Sequence, residues 1–247
     1  MDSLKANIIN EVRKLFLKKK TIVYLVLMAI MSFLTAFFIA TIQAKLIFIA
    51  VNSFSYPLML LAIFTNIFLP LFVFMAASDL FSGEVADRTL KLVLTMPVSR
   101  FKIYLSKIVA VSIYVILNFI LIFLVSMLSA FCLKITITSI TSVVVGYLAD
   151  IIPALILVIF ASFIAQFFRS GSTALISSIF IFIGIKALSL FNTLLNNNIF
   201  TTYLNWYSLW LPNGTNLLRG LNLLLLLLAY GIIFFTVGYY LFDKKEI

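Results

Sequence analysis

Histidine is absent from this 247-residue chain. Without an imidazole there is no side chain that titrates near neutrality unaided, no Ser-His pair and no HExxH zinc motif. The single cysteine, Cys132, excludes an intramolecular disulfide and any Cys/His metal cluster. Acidic residues are scarce too, eight against 18 Lys and Arg, for a net charge of +10. Only Asp150 falls in or beside an apolar run, so an intramembrane mechanism with paired carboxylates lacks its second member. No GxxxxGK[ST] loop occurs, which excludes ATP binding by that route. No catalytic residue and no metal ligand is assigned. The chain is not expected to be an enzyme, and nucleic acid is not among its expected partners.

What the chain has in excess is apolar surface: 64% of its residues are hydrophobic and its mean hydropathy is +1.21. A soluble domain carries about 45–50% apolar residues, so this composition needs lipid as well as a core. Runs at about residues 21–42, 57–78, 108–131, 145–168, 172–191 and 221–242 are long enough to cross a bilayer, which takes about 20 residues. The expected fold is an all-α integral membrane protein with six transmembrane helices in a single domain, residues 21–247. Residues 1–20 read as an amphipathic interfacial helix before it. Leu4, Ile8, Val12, Leu15 and Phe16 form its apolar face, and Lys5, Arg13, Lys14 and Lys18 to Lys20 suit anionic headgroups.

Charge orients the spans. With both termini cytoplasmic, every Lys and Arg except Lys45, Lys134, Lys186 and Arg219 lies on the cytoplasmic side, as the positive-inside rule requires. Residues 192–220 then form an outer segment. Its Tyr203, Trp206, Tyr207 and Trp210 suit short helices lying on or dipping into the outer leaflet rather than a free loop.

Few polar residues interrupt the spans. Pro70 is expected to kink the second. Asn66 and Asn118 are candidates for interhelical hydrogen bonds. Asp150 with Lys186 as its partner would form a polar element of a translocation path; the alternative for Asp150 is a marker of where the fourth span begins. Asn66, Asn118, Asp150 and Lys186 are therefore the candidate path residues. Ser170, Ala174 and Ser178 form a row of small residues suited to close helix packing.

The richest local chemistry lies in a polar island at residues 79–107, DLFSGEVADRTLKLVLTMPVSRFKIYLSK. Asp79, Glu84, Asp87, Arg88, Lys91, Arg100, Lys102 and Lys107 crowd into a chain that is 11% charged overall, so the island is expected in water between two spans. Asp87 reads as the N-cap of a short helix starting at Arg88. Leu90, Val93 and Leu94 would form its apolar knob and Pro97 its end. Ser99 would cap the following long helix, with Arg100, Lys102 and Lys107 anchoring it. A short amphipathic helix held by two spans can seat in a groove of a soluble partner; the alternative is an ordinary loop helix resting on headgroups.

Ser82-Gly83-Glu84, Thr89-Leu90, Leu94, Pro97-Val98-Ser99-Arg100 and Lys107 resemble the segment between the second and third spans of ABC-2 type permeases, the membrane subunits of bacterial ABC exporters. Phe167 to Ser172 and Phe242 to Lys245 are also similar to that family, and the layout agrees over the whole chain. Arg88 departs from the pattern, because many members have glycine before the threonine. The resemblance implies a permease in the bacterial cell membrane, paired with a second copy or a paralogous permease and surrounded by lipid. A separate cytoplasmic ABC ATPase would drive it, with ATP and Mg on that subunit and no cofactor in this chain. Glu84, Asp87, Thr89, Leu90, Val93, Leu94, Pro97 and Arg100 would couple the two, and the cargo would be an exported amphiphile such as a drug, an antimicrobial peptide or a lipid. The reading set against it is a membrane immunity or scaffold protein without turnover.

Overall fold

The structure, a computed structural model, describes residues 2–45, 56–89, 98–133, 135, 139–191, 198–210 and 217–245. Ten α-helices are followed among them: α1 (Asp2–Leu17), α2 (Lys19–Lys45), α3 (Tyr56–Ile63), α4 (Leu69–Ser78), α5 (Glu84–Ala86), α6 (Arg100–Cys132), α7 (Ile140–Ala165), α8 (Gly171–Phe191), α9 (Tyr207–Trp210) and α10 (Leu217–Asp243). Two π-helical turns, Phe64–Phe68 and Asp79–Gly83, join α3, α4 and α5 into one rod. A 3-10 turn, Phe200–Asn205, precedes α9. Among the described residues six helices are long and apolar enough to cross a membrane: α2, the α3–α5 rod, α6, α7, α8 and α10.

The irregularity expected at Pro70 takes the form of the first π turn. Proline lacks an N–H and its ring collides with the carbonyl four residues back, here that of Asn66. The wider turn at Phe64–Phe68 leads directly into α4, where Pro70 occupies the first turn. Tyr24 of α2 donates its hydroxyl to the Phe68 carbonyl, so the distortion does not leave that oxygen bare in an apolar setting.

The rod, α6 and α7 form the centre, each about half buried. α2 leans on α6, α8 on α4, and α10 on α7 and α6. These three outer helices leave long apolar faces uncovered, among them Ile22, Val23 and Val26 on α2, Phe180 and Ile183 on α8, and Leu225 and Ile232 on α10. Apolar surface this continuous is lipid-facing rather than water-facing. In the row of small residues, Ala174 and Ser178 are buried. A Cβ on Gly171, at the start of the same helix, would lie 3.6 Å from Cα of Gly83, so α8 meets the second π turn at close range.

Part of the outer segment is built into the bundle: Phe200, Leu204 and Trp206 are buried, and Phe200 packs on Phe160 of α7 and Tyr230 of α10 at centroid distances of 5.0 and 5.5 Å. Burying these rings against α7 and α10 removes more apolar area from water than resting at an interface does. The second span's helix reaches further into the polar island than hydropathy indicates, to Ala86, while the helix of the third starts at Arg100, directly after Ser99 as expected.

Close packing of α10 on α6 rests on Gly238. A Cβ there would lie 2.4 Å from the Tyr104 hydroxyl and 3.5 Å from the Phe163 Cα. Tyr104 is fully buried and ringed by Phe81, Phe235, Tyr239 and Phe242, so it cannot swing aside, and its hydroxyl has no hydrogen-bond partner among the described residues. Gly238→Ala is expected to cost about 1–3 kcal/mol by overpacking, read as a lower melting temperature in detergent. Tyr104→Phe in the same chain should restore most of it. Gly184→Ala, where a Cβ meets nothing within 4 Å, is the control and should be neutral or better, because alanine favours a helix by about 1 kcal/mol over glycine. Equal losses at the two glycines would refute the close-approach argument.

Candidate coupling site

The island's first residues are built into the bundle. Leu80, Phe81 and Ser82 are at most 2% exposed and Glu84 is 8% exposed, which corrects the expectation that the whole island stands in water. A carboxylate reaches such a position only if it is neutralised there. Lys107 of α6, with no exposed surface, supplies the charge: its Nζ lies 2.6 Å from Glu84 Oε2 and 3.2 Å from Glu11 Oε2. Lys14 completes the set at 2.7 Å from Glu11 Oε1 and 3.0 Å from Glu84 Oε1. Two ammonium groups and two carboxylates thus alternate in a closed ring of no net charge, each lysine bridging both glutamates.

Local chain geometry makes the ring. On α1, Glu11 lies in the middle of the stripe that includes Ile8 and Leu15, so it turns inward when that stripe packs on α6; Leu15 is 1% exposed and Glu11 3%. The apolar face of α1 is therefore partly spent on the bundle. The second π turn matters equally. On a regular α-helix, residues five apart point about 140° away from each other. In a π turn they are hydrogen-bonding neighbours, which puts Asp79 and Glu84 on one side. Glu84 meets Lys14, and Asp79 meets Lys18 at 3.3 Å and Lys20, so both acids face the α1–α2 corner. The Asp79 contacts involve lysines that are 37% and 48% exposed and add little stability. Burial works against the charge on Lys14, but its two carboxylate partners outweigh that and raise its pKa above 10.5. Its contribution is complete below the unfolded value and is lost only as pH climbs through the higher folded one.

Further ties close the same end of the molecule. Ser82 donates its hydroxyl to the Ala165 carbonyl at 2.6 Å, at the end of α7. Arg100 donates to the Asp243 carbonyl at the end of α10, where a cation also suits the helix dipole. Lys245 donates to the Gln166 carbonyl at 3.2 Å; burial and then nearby Arg169 lower its pKa. The start of α2 and the ends of α5, α7 and α10 therefore meet the start of α6 at one end of the bundle.

Two expectations within the island are corrected. Asp87 does not cap a helix starting at Arg88: at φ −78° and ψ −1° it is the C-cap of α5. Arg88 follows at φ 57°, in the left-handed region, and its N–H donates to the Val85 carbonyl. That is the position after a helix where glycine is preferred. Helical backbone resumes at Thr89, whose hydroxyl donates to the Glu84 carbonyl at 3.4 Å. Ser99 takes the extended N-cap backbone of α6, with its side chain making no cap hydrogen bond. Leu90, Val93, Leu94 and Pro97 lie outside the described residues.

The four candidate path residues do not converge. Lys186 does not pair with Asp150; it donates to Asn66 Oδ1 at 2.5 Å. Asp150, fully buried, accepts the Tyr207 N–H at 2.7 Å and so fixes the start of α9. Asn118 donates to the Tyr114 carbonyl of its own helix at 2.9 Å. Sequence reasoning passed over Glu11 and read Lys107 as a surface anchor. The available signal was Glu11's register, three residues after Ile8 and four before Leu15.

Breaking one member of a buried ion set leaves an uncompensated charge, at about 3–5 kcal/mol. Glu84→Gln is accordingly expected to lower the melting temperature sharply, while Glu84→Gln with Lys107→Met, which leaves the neutral Glu11–Lys14 pair, should recover most of the loss. Additive losses in that cycle would rule out the ring. Arg88→Gly should stabilise the chain by about 0.5–1 kcal/mol through relief of the left-handed backbone; destabilisation would mean that the turn is not adopted.

Comparison with known proteins agrees with this architecture. The chain is similar to the uncharacterized membrane protein YdbK of Bacillus subtilis (strain 168), with 28% identity over 95% of this chain and 99% of that protein. The family model for the ABC-2 family transporter protein matches residues 8–186, a span that contains Glu11, the π turns, Glu84, Lys107 and Lys186. This multi-pass membrane protein belongs to the ABC-2 transporter family.

Proposed function

We propose that the chain is the permease subunit of an ABC exporter, driven by a separate cytoplasmic ATPase that docks on residues 87–99. The observation that carries this reading is the ring of Glu11, Lys14, Glu84 and Lys107. A connection pinned at both ends to buried charges transmits displacement to α1, α5 and α6 together instead of dissipating it in a loop. The ATPase carries the ATP and Mg. Leu90, Val93 and Leu94 supply the apolar contact, and Glu84, Asp87, Thr89, Pro97 and Arg100 shape and hold the segment.

In this reading the end bearing the ring is cytoplasmic, with both termini, as the distribution of Lys and Arg favours. The uncovered faces of the outer spans support a second permease copy or a paralogue, with lipid over the remainder. Cargo moves outward and is amphipathic. Support for its apolar part comes from a groove of about 200 Å³ between α6 and α7, lined by Phe119, Phe123, Val144, Tyr147, Leu148 and Ile151.

Affinity purification of the chain from its native membrane in mild detergent, with an ATPase assay, tests the proposal. A stoichiometric soluble ATPase should co-purify, and Leu90→Asp should reduce its retention at least about tenfold, equivalent to roughly 1.4 kcal/mol, with membrane insertion unchanged. Recovery of the chain alone, without hydrolysis, would overturn the permease reading in favour of an immunity or scaffold protein.

A further inference from the structure

The two ends of the bundle treat charge in opposite ways. At the cytoplasmic end Lys14 and Lys107 each have two carboxylates. At the outer end Lys186, 15 residues after Gly171 and so about 22 Å along α8, has none. Its described partners are the Asn66 carbonyl oxygen at 2.5 Å and the face of Phe182, 5.6 Å from the ring centroid. An ammonium group has three N–H donors, and among the described residues one hydrogen-bond acceptor meets them. Asn66 is fixed in turn: its Nδ2 donates to the Ala62 carbonyl at 2.9 Å and to Asn205 Oδ1 at 2.7 Å, and Thr65 donates to the same Asn205 oxygen at 2.6 Å. The first π turn places Thr65 and Asn66 there, and the 3-10 turn brings Asn205.

The sequence offers this lysine a single internal counter-ion, Asp150. Asp2, Glu11, Asp79, Glu84, Asp87, Asp243 and Glu246 all belong to the segments at the cytoplasmic end, and the connections of the outer end contain no acidic residue. Asp150, the one remaining acid, makes no ion pair with Lys186: its Oδ1 accepts the Tyr207 N–H, and its buried Oδ2 has no hydrogen-bond partner among the described residues. A half-buried cation inside a span, held by neutral amides and lacking a carboxylate, is an anion receptor.

We infer that Lys186, Asn66 and Asn205 form an outer-leaflet site for the anionic headgroup, phosphate or carboxylate, of a membrane amphiphile. The inference deepens the permease reading by giving the cargo a charge, and rests on that reading for the cargo's role. Two sources carry this chemistry: a resident two-chain phospholipid, and a single-chain amphiphile of the kind a permease would move.

Native mass spectrometry of the full chain in detergent separates them, with phosphatidylglycerol, phosphatidylcholine, dodecyl phosphate and inorganic phosphate as probes. The wild type should retain at least one of the two anionic amphiphiles about tenfold over phosphatidylcholine. Preference for phosphatidylglycerol assigns a lipid site, and preference for dodecyl phosphate assigns a cargo site. Lys186→Gln should abolish the preference and Lys186→Arg keep it, while Arg219→Gln, elsewhere at the outer end, should leave it intact. Asn66→Asp supplies the missing counter-charge internally; it should release the anion while keeping or raising the melting temperature, and so tests the site even if Lys186→Gln folds poorly. Equal retention of phosphatidylglycerol, dodecyl phosphate and phosphatidylcholine, binding of inorganic phosphate alone, or an unchanged preference in both Lys186→Gln and Asn66→Asp would overturn the inference. None of these readouts involves ATP hydrolysis, so failure here is distinguishable from failure of the permease reading.

Discussion

An ammonium group with no access to water has to be neutralised within the protein, and at Lys107 that requirement organises one whole end of the bundle. Glu84 alone would neutralise it, but Glu11 approaches as well, and two carboxylates around one lysine would leave a surplus negative charge. Lys14 removes the surplus. The stoichiometry forces α1 onto α6, because half of the ring belongs to α1. Once α1 is held there, the start of α2 is placed beside Asp79, and the rod, α6 and α10 converge on the same end. A ring of this kind contributes more to the uniqueness of an arrangement than to its stability, since the desolvation of four charges offsets most of their attraction.

The distortions of the rod serve this electrostatic demand. A regular α-helix from Tyr56 to Ala86 would direct Asp79 and Glu84 to different sides, and one of them toward apolar neighbours. The π turn at Asp79–Gly83 brings both to the α1–α2 corner, and Ser82 within it reaches the Ala165 carbonyl. The turn at Phe64–Phe68 accommodates Pro70 and turns Thr65 and Asn66 toward Asn205. Each π turn thus stands where the rod presents polar side chains to other helices. The rest of the rod presents Leu60, Leu61, Phe72, Val73 and their neighbours to an apolar core, for which regular helix suffices.

Span number and helical class were legible in the sequence because a run of about 20 apolar residues has few other uses. The island stood out for the complementary reason, eight charges amid apolar runs. What hydropathy could not convey is that a charge and its counter-charge, 96 residues apart in the case of Lys107 and Glu11, cancel and go inside together. Averages along the chain register each as polar and assign both to water. For the same reason the spans were drawn short, ending near residue 78 where the helix runs on to Ala86. Arg88 was readable as an oddity, but its meaning depends on a backbone angle. Lys186 and Asp150 are natural partners by residue type; the first π turn and the start of α9 instead give each a neutral or backbone partner.

That last pairing bears on how a membrane protein of this kind can hold its shape while moving. Charges that transmit force should find their partners inside the chain, because a tie to lipid or solvent would slip under load; the ring at Lys107 meets that requirement of the proposed coupling role. Charges that receive a ligand should be held in place but left electrically unsatisfied, because a carboxylate already in position would have to be displaced before the ligand could bind. Lys186 fits that second description: amides restrain it without cancelling its charge, and the acid that could have cancelled it is tied to the Tyr207 backbone. The two lysines of the ring are thus compensated where α1, α5 and α6 are locked together, whereas Lys186 is held by a neutral amide, as the proposed meeting with an anion requires.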